Sequence, residues 1–135
     1  MRASILIFAL AACTALAQER KPEDTLSAVM RVSAKVDADA RSAATLGTQR
    51  RGSGALIREG YVLTIGYLVI EAAEIVVADA GGRSVPATLA GYDHASGFGL
   101  LKLAAPLAGT PLPLGSSAAL GERDPAMVAS ATAAE

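Results

Sequence analysis

The chain predicts an all-β fold, a small barrel or sandwich of short strands, and three observations carry that prediction. Short apolar runs recur between residues 53 and 103. Glycine and proline punctuate the gaps between them. Two gaps also carry hairpin signatures: Arg58-Glu59-Gly60 after Ala55-Leu56-Ile57, and Ala80-Gly81-Gly82-Arg83 after Glu74-Ile75-Val76-Val77-Ala78-Asp79. Regularly spaced short strands joined by such turns are how barrels and sandwiches are written in sequence.

In chain order, Met1-Arg2 supplies a short positive n-region, Ile5 to Ala12 an apolar h-region, and Ala15-Leu16-Ala17 a cleavage site before Gln18. Residues 1–17 therefore read as a secretory signal peptide. The apolar run is shorter than the roughly 20 residues a membrane span needs. A rival reading takes Leu10-Ala11-Ala12-Cys13, which resembles a bacterial lipobox, as the site where Cys13 is lipidated and anchored to a membrane. On either reading the expected location is the bacterial periplasm or the exterior. The single cysteine is spent in processing, so no disulfide is expected in the mature domain.

Gln18 to Asp24 is a polar lead-in. Leu26, Val29, Met30 and Ser33 fall at helical spacing behind Asp24 or Thr25 as N-cap, which predicts a short amphipathic helix within 25–34. Val36, Ala38 and Ala40 then alternate with Asp37, Asp39 and Arg41, the two-residue period of a first strand over 36–41. A polar loop follows over 42–51. Residues 53–57 and 61–65 form the first hairpin, with Gly52 and Gly54 marking a bulge or a close backbone approach. Tyr67 to Ala73 suits a single helical turn. Residues 74–79 and 83–90 form the second hairpin, with Pro86 at an edge or bulge. Tyr92 to Gly97 is a polar turn, and 98–103 is the sixth strand. Residues 104–121 read as a linker, and Met127-Val128-Ala129-Ser130 as the beginning of another strand.

At 135 residues the chain has room for one modest core. It is 52% hydrophobic but only 4% aromatic, so that core is built from small and aliphatic side chains. A net charge of -1 gives no basic footprint for nucleic acid and no polybasic run for anionic lipid.

Residues able to do chemistry are few. His94, the single histidine, lies in the turn Asp93-His94-Ala95-Ser96 and reads as a solvent-exposed turn residue. No histidine or cysteine cluster offers metal-ligand spacing, and no metal or cofactor is expected. Gly52-Ser53-Gly54 and Gly81-Gly82 are not followed by helices, so they read as bulge and turn glycines rather than phosphate loops. Ser53 and Ser96 are placed in loops, without the glycine setting that presents a nucleophile.

The run Gly52-Ser53-Gly54-Ala55-Leu56-Ile57-Arg58-Glu59-Gly60-Tyr61-Val62-Leu63-Thr64 resembles the start of the protease domain in HtrA/Deg proteases, which are trypsin-like serine proteases on a double β-barrel. Further matches follow in the family's order. Glu74-Ile75-Val76-Val77 with Gly81-Gly82-Arg83 is similar to its E-I-x-V…D-G-R hairpin. Gly91-Tyr92-Asp93 with Leu100-Leu101-Lys102-Leu103 is similar to its G-x-D-x-x-x-D-[apolar]-A-[apolar]-L-K segment. Leu112-Pro113-Leu114-Gly115-Ser116-Ser117 is similar to its L-P-L-G-x-S. The resemblance implies a six-stranded Greek-key barrel over 36–103, after a lead-in and helix over 18–35. Residues 104–135 then become a linker and the start of a second barrel.

It also implies where the catalytic triad would stand. The family's histidine, in T-N-N-H-V-V, falls on Tyr67. The second aspartate of the G-x-D-x-x-x-D segment, its triad carboxylate, falls on Gly97, and Asp93 matches the first, structural aspartate. The serine motif G-x-S-G-G belongs to the second barrel and does not occur here. A phenol, with an ordinary pKa near 10, does not serve as a base at neutral pH, and serine is a poor nucleophile without a base beside it. Tyr67 is expected to fill the space of the lost imidazole as a packing residue, or to present its hydroxyl to a peptide groove. The expectation is thus an exported, catalytically inactive relative that binds extended peptide or unfolded protein along a strand edge. One alternative is a fragment of a longer serine-endopeptidase-like protein, and a second is an unrelated periplasmic structural or ligand-binding barrel.

Overall fold

The computed structural model describes residues 21–131; the signal-peptide and lipobox readings, both within residues 1–17, fall outside them. Six strands close into one antiparallel barrel: β1 (Val29–Val36), β2 (Gln49–Arg58), β3 (Tyr61–Ile65), β4 (Ala72–Ala78), β5 (Ser84–Asp93) and β6 (Phe98–Leu103). Their order around the barrel is β1-β2-β3-β6-β5-β4. Closure comes from β4 pairing with β1, with Val32 opposite Val77. The all-β, six-stranded barrel that the sequence predicts is the observed fold.

Alternation decides what goes inside. Met30 and Val32 from β1, Leu56 from β2, Val62 from β3, Val77 from β4 and Leu101 from β6 are all essentially removed from water. Each such side chain contributes about 1.5–3 kcal/mol of transfer free energy. Aliphatic residues of this size suit a small barrel, whose interior holds little more than one layer of side chains.

The N-terminal elements differ from the expectation. Helix α1 covers only Pro22–Ser27, where the predicted helix ran within 25–34. Residues 29–36 are instead β1, with Met30, Val32, Ala34 and Val36 inward. The helical spacing of Leu26, Val29, Met30 and Ser33 is a coincidence that two neighbouring strands override. Correspondingly, 36–41 is not a strand: β1 ends at Val36 and the chain turns. The Asp–Ala alternation there had the right period but poor strand formers. The loop expected over 42–51 holds α2 (Ala43–Leu46) and the first residues of β2.

The hairpins agree with prediction. Gly60 takes φ +75° in the first and Gly82 φ +86° in the second, the left-handed turn conformation that glycine adopts at least cost. Pro86, expected at an edge or bulge, pairs with Val76 inside the β4–β5 ladder. Its carbonyl accepts the Ala104 N–H at 2.9 Å. Residues 104–131 form no strand, so Met127–Ser130 does not begin one. The expected linker instead lies against the barrel, with Leu107 and Leu112 packed on the core and the Leu112 N–H bonded to the Leu56 carbonyl at 2.8 Å.

Candidate functional site

A 3₁₀ turn, Gly66–Leu68, follows β3 directly and carries Tyr67. Leu68 and Val69 are each 1% exposed and plug that end of the barrel. Their room is made by two glycines: a Cβ on Gly52 would lie 2.6 Å from Leu68 Cδ1, and one on Gly99 2.9 Å from Val69 Cγ2. Gly54 is crowded in the same way, by Val62 and the Leu63 carbonyl. The β1–β2 register runs unbroken through Gly52–Gly54. The Gly-Ser-Gly segment is therefore a close-approach site rather than a bulge, and Ser53 lies on β2, not in a loop. Its carbonyl accepts from Thr64 Oγ1 at 2.8 Å and its Oγ accepts the Ala131 N–H at 2.8 Å.

Arg50, which the sequence left in a polar loop, holds this turn. It is only 4% exposed. Nη1 donates to the carbonyls of Tyr67 and Ile70, both at 2.9 Å. Nη2 donates to Ser42 Oγ at 2.8 Å, and Nε to the Gly47 carbonyl at 3.1 Å. A guanidinium suits this because its donors fan out in one rigid plane. Ser42 relays the network outward, its N–H donating to Glu71 Oε2 at 2.8 Å. Hydrogen bonding from Ser42, hydroxyl first and N–H second, holds the Glu71 carboxyl below its ordinary range. Glu71 itself takes φ 56°, uncommon for a residue with a side chain. No sequence signal marked Arg50 or Glu71, because their partners are main-chain atoms and a serine far along the chain.

The β5–β6 turn faces the Tyr67 turn. The N–H of Gly66 donates to the Gly97 carbonyl at 2.7 Å, so the residue beside Tyr67 touches Gly97. Within its own turn Asp93 is a capping residue: Oδ2 accepts the Ser96 hydroxyl at 2.5 Å and Oδ1 the Ala95 N–H at 3.1 Å. Those bonds, the Ser96 hydroxyl first, keep the Asp93 carboxyl below its ordinary range. His94 is exposed, as expected, and its ring lies 4.7 Å from that of Tyr92. Ser96 sits in this turn with its hydroxyl spent on Asp93.

The structure thus brings together the two positions the resemblance singled out. What stands there is a phenol and a hydrogen atom. Tyr67 is 48% exposed and so is not the packing residue foreseen. Gly97 has open space where a side chain would begin. Beside them, Ile65 and Phe98 pair across β3 and β6, both 48% exposed. They line an apolar groove of about 390 Å³ with Gly54, Leu63 and Met127. Among the described residues, no group of three histidine, cysteine, aspartate or glutamate side chains is placed to hold a metal ion.

A closed six-stranded antiparallel barrel, with one turn plugging its end and a second hydrogen-bonded to it, is the barrel of a trypsin-like protein. Residues 52–134, more than half of the chain, match the family model described as trypsin-like peptidase domain, and the chain belongs to that family. The reading as a barrel unrelated to proteases is thereby set aside. None of the curated proteins matches the chain.

Proposed function

We propose that this is an exported, HtrA-like member of the family that does not hydrolyse peptide bonds and instead binds extended peptide. The observation that carries the reading is the hydrogen bond between the turns of Tyr67 and Gly97, the residues on which the resemblance puts the family's base and carboxylate. A triad works because a carboxylate orients an imidazole that takes the serine proton. Here Tyr67 and Gly97 supply neither group, and in the facing turn the Asp93 carboxylate is spent as a cap that takes the Ser96 hydroxyl, while His94 lies against Tyr92.

Binding is assigned to the apolar groove. Among the described residues, closure of the barrel by β4 on β1 leaves no whole strand edge for a peptide to join, so the strand-edge mode gives way to side-chain contacts. Ile65 lies two residues before Tyr67 and Phe98 directly follows Gly97, which puts the groove beside the old catalytic positions. Exposed apolar side chains lining a concavity are the usual composition of a recognition site.

Two measurements test this. The full chain is assayed at neutral pH with labelled casein and a serine-directed fluorophosphonate probe; no turnover and no labelling are expected, and robust turnover overturns the reading. Fluorescence anisotropy with a labelled, unstructured apolar peptide reports binding, which Phe98→Ser should weaken about tenfold. Equal binding by that variant removes the groove from the proposal.

A second reading, one barrel of a longer serine-endopeptidase-like protein, draws support from the exposed apolar residues Ile65, Tyr67, Leu89 and Phe98. Under it Tyr67 and Gly97 still supply neither base nor carboxylate.

A further inference from the structure

Leu112 and Met127 line the same apolar groove, yet the chain between them leaves the barrel. Every residue from 113 to 126 is exposed, Leu114 and Leu120 included. Among the described residues, the hydrogen bonds of that excursion are internal to it: Ala119 to Ser116, Leu120 to Ser117, and a turn in which the Gly121 N–H meets Asp124 Oδ2 at 2.8 Å. The chain then returns over 127–131 and lies against β2, where Ser53 Oγ accepts the Ala131 N–H at 2.8 Å. Its side chains alternate on the way. Met127 and Ala129 line the groove and Ala131 is half-buried, whereas Val128 is 94% exposed and Ser130 is exposed. A two-residue period of this kind is how an extended peptide lies on a surface, with alternate side chains turned inward.

We propose that residues 127–131 are a displaceable strap, an internal stand-in for peptide, and that an extended apolar peptide enters the groove by releasing it. The strap regulates the peptide-binding groove proposed above, so it stands on that reading. Its hold is light. Among the described residues its one polar tie to the barrel is the Ala131–Ser53 bond. Ala129 turns only a methyl inward, and about 390 Å³ of the groove stays open beside it. A peptide with larger side chains at alternate positions removes more apolar surface from water than the strap does. The solvated excursion over 113–126 gives the slack, so release of 127–131 leaves the packing of Leu107 and Leu112 on the core in place. A closed strap lowers the apparent affinity for peptide in proportion to the fraction of molecules that are open.

The test measures fluorescence anisotropy of the apolar peptide, carrying an uncharged dye and blocked at its free end, with the full chain and three variants. Ala129→Asp puts a charge at the inward position of the strap. If 127–131 is a strap, the charge drives it into water and peptide binding tightens about fivefold. If residue 129 is a fixed wall, the same charge faces an apolar ligand and binding weakens. Ala129→Leu fills the groove from the strap's side and should weaken binding about fivefold. Val128→Asp, on the solvent side, should leave affinity unchanged. In the unmodified protein the Ala131 amide resonance should move on peptide addition toward its position in Ala129→Asp, since both release it from Ser53. Equal or weaker binding by Ala129→Asp, with the unmodified chain binding, overturns the strap and leaves the groove a peptide site. An Ala131 signal unmoved at saturation, or an equal gain in Val128→Asp, overturns the strap as well. Absence of binding by every form, Ala129→Asp included, overturns the groove reading and the strap with it.

Discussion

Gly66 and Gly97 are joined by a 2.7 Å hydrogen bond, N–H to carbonyl, and through it the turn carrying Tyr67 is fastened to the β5–β6 turn. Neither residue tolerates a side chain freely, for different reasons. Gly97 has room but a left-handed backbone, φ +74°. Gly66 has an ordinary backbone but no room: a Cβ would overlap the Tyr92 ring and lie 2.8 Å from the Gly97 carbonyl.

At Gly97 the cost of a substitution is therefore conformational. Gly97→Ala is expected to destabilise by about 1 kcal/mol, the left-handed penalty less the entropy alanine removes from the unfolded chain. Gly97→Asn should cost less, because a short polar side chain bonds locally in that conformation. Urea unfolding midpoints check the order.

At Gly66 the cost is steric. Gly66→Ala should destabilise by about 1–3 kcal/mol through overpacking. Adding Tyr92→Ala should recover part of the loss by vacating the space, which a double-mutant cycle would read as coupling.

Arg50 has a larger effect. Arg50→Met removes every donor that meets the Tyr67 and Ile70 carbonyls, and about 2–4 kcal/mol of stability should go with it. Hydrogen exchange at Val69 and Ile70 is expected to accelerate more than at the centre of β1. Arg50→Lys should restore only part, since an ammonium cannot reproduce the fork.

Acid should loosen the same two turns. The carboxyls of Glu71 and Asp93 titrate below their ordinary 4.5 and 3.8 in the folded protein. A depressed folded-state value means that the stabilisation is complete above the unfolded-state pKa and is lost as pH falls through the folded one. Melting temperature should therefore be level above about pH 5 and decline below about pH 4. Asp93→Asn should flatten part of that decline, and an unchanged acid limb in the variant would count against the cap.

Restoring the triad residues provides the activity control. Tyr67→His with Gly97→Asp in the same chain should remain without turnover on casein, because base and carboxylate act only on a nucleophile. Hydrolysis by that variant would show that a serine already present can serve.

The hairpins and the last strand were legible because their signals are local. Glycine at a left-handed turn and alternation over five or six residues need no distant partner to be read. The assignment of the family's base and carboxylate positions to Tyr67 and Gly97 comes from the resemblance in motif spacing; the structure adds that their turns are hydrogen-bonded to each other. Residues 29–36 were not, since Leu26, Val29, Met30 and Ser33 satisfy a helical period while Met30, Val32, Ala34 and Val36 satisfy a strand period.

The sequence alone was enough for an all-β barrel with two glycine-turned hairpins and for its kinship with trypsin-like proteins. Only the tertiary structure decided that 29–36 is a strand, since β2 and β4 satisfy its backbone on both sides, which no isolated helix of that length could match. It alone also set Arg50 under the Tyr67 turn. That guanidinium's partners are carbonyls assembled by closure of the barrel, and such neighbours have no fixed spacing along the chain.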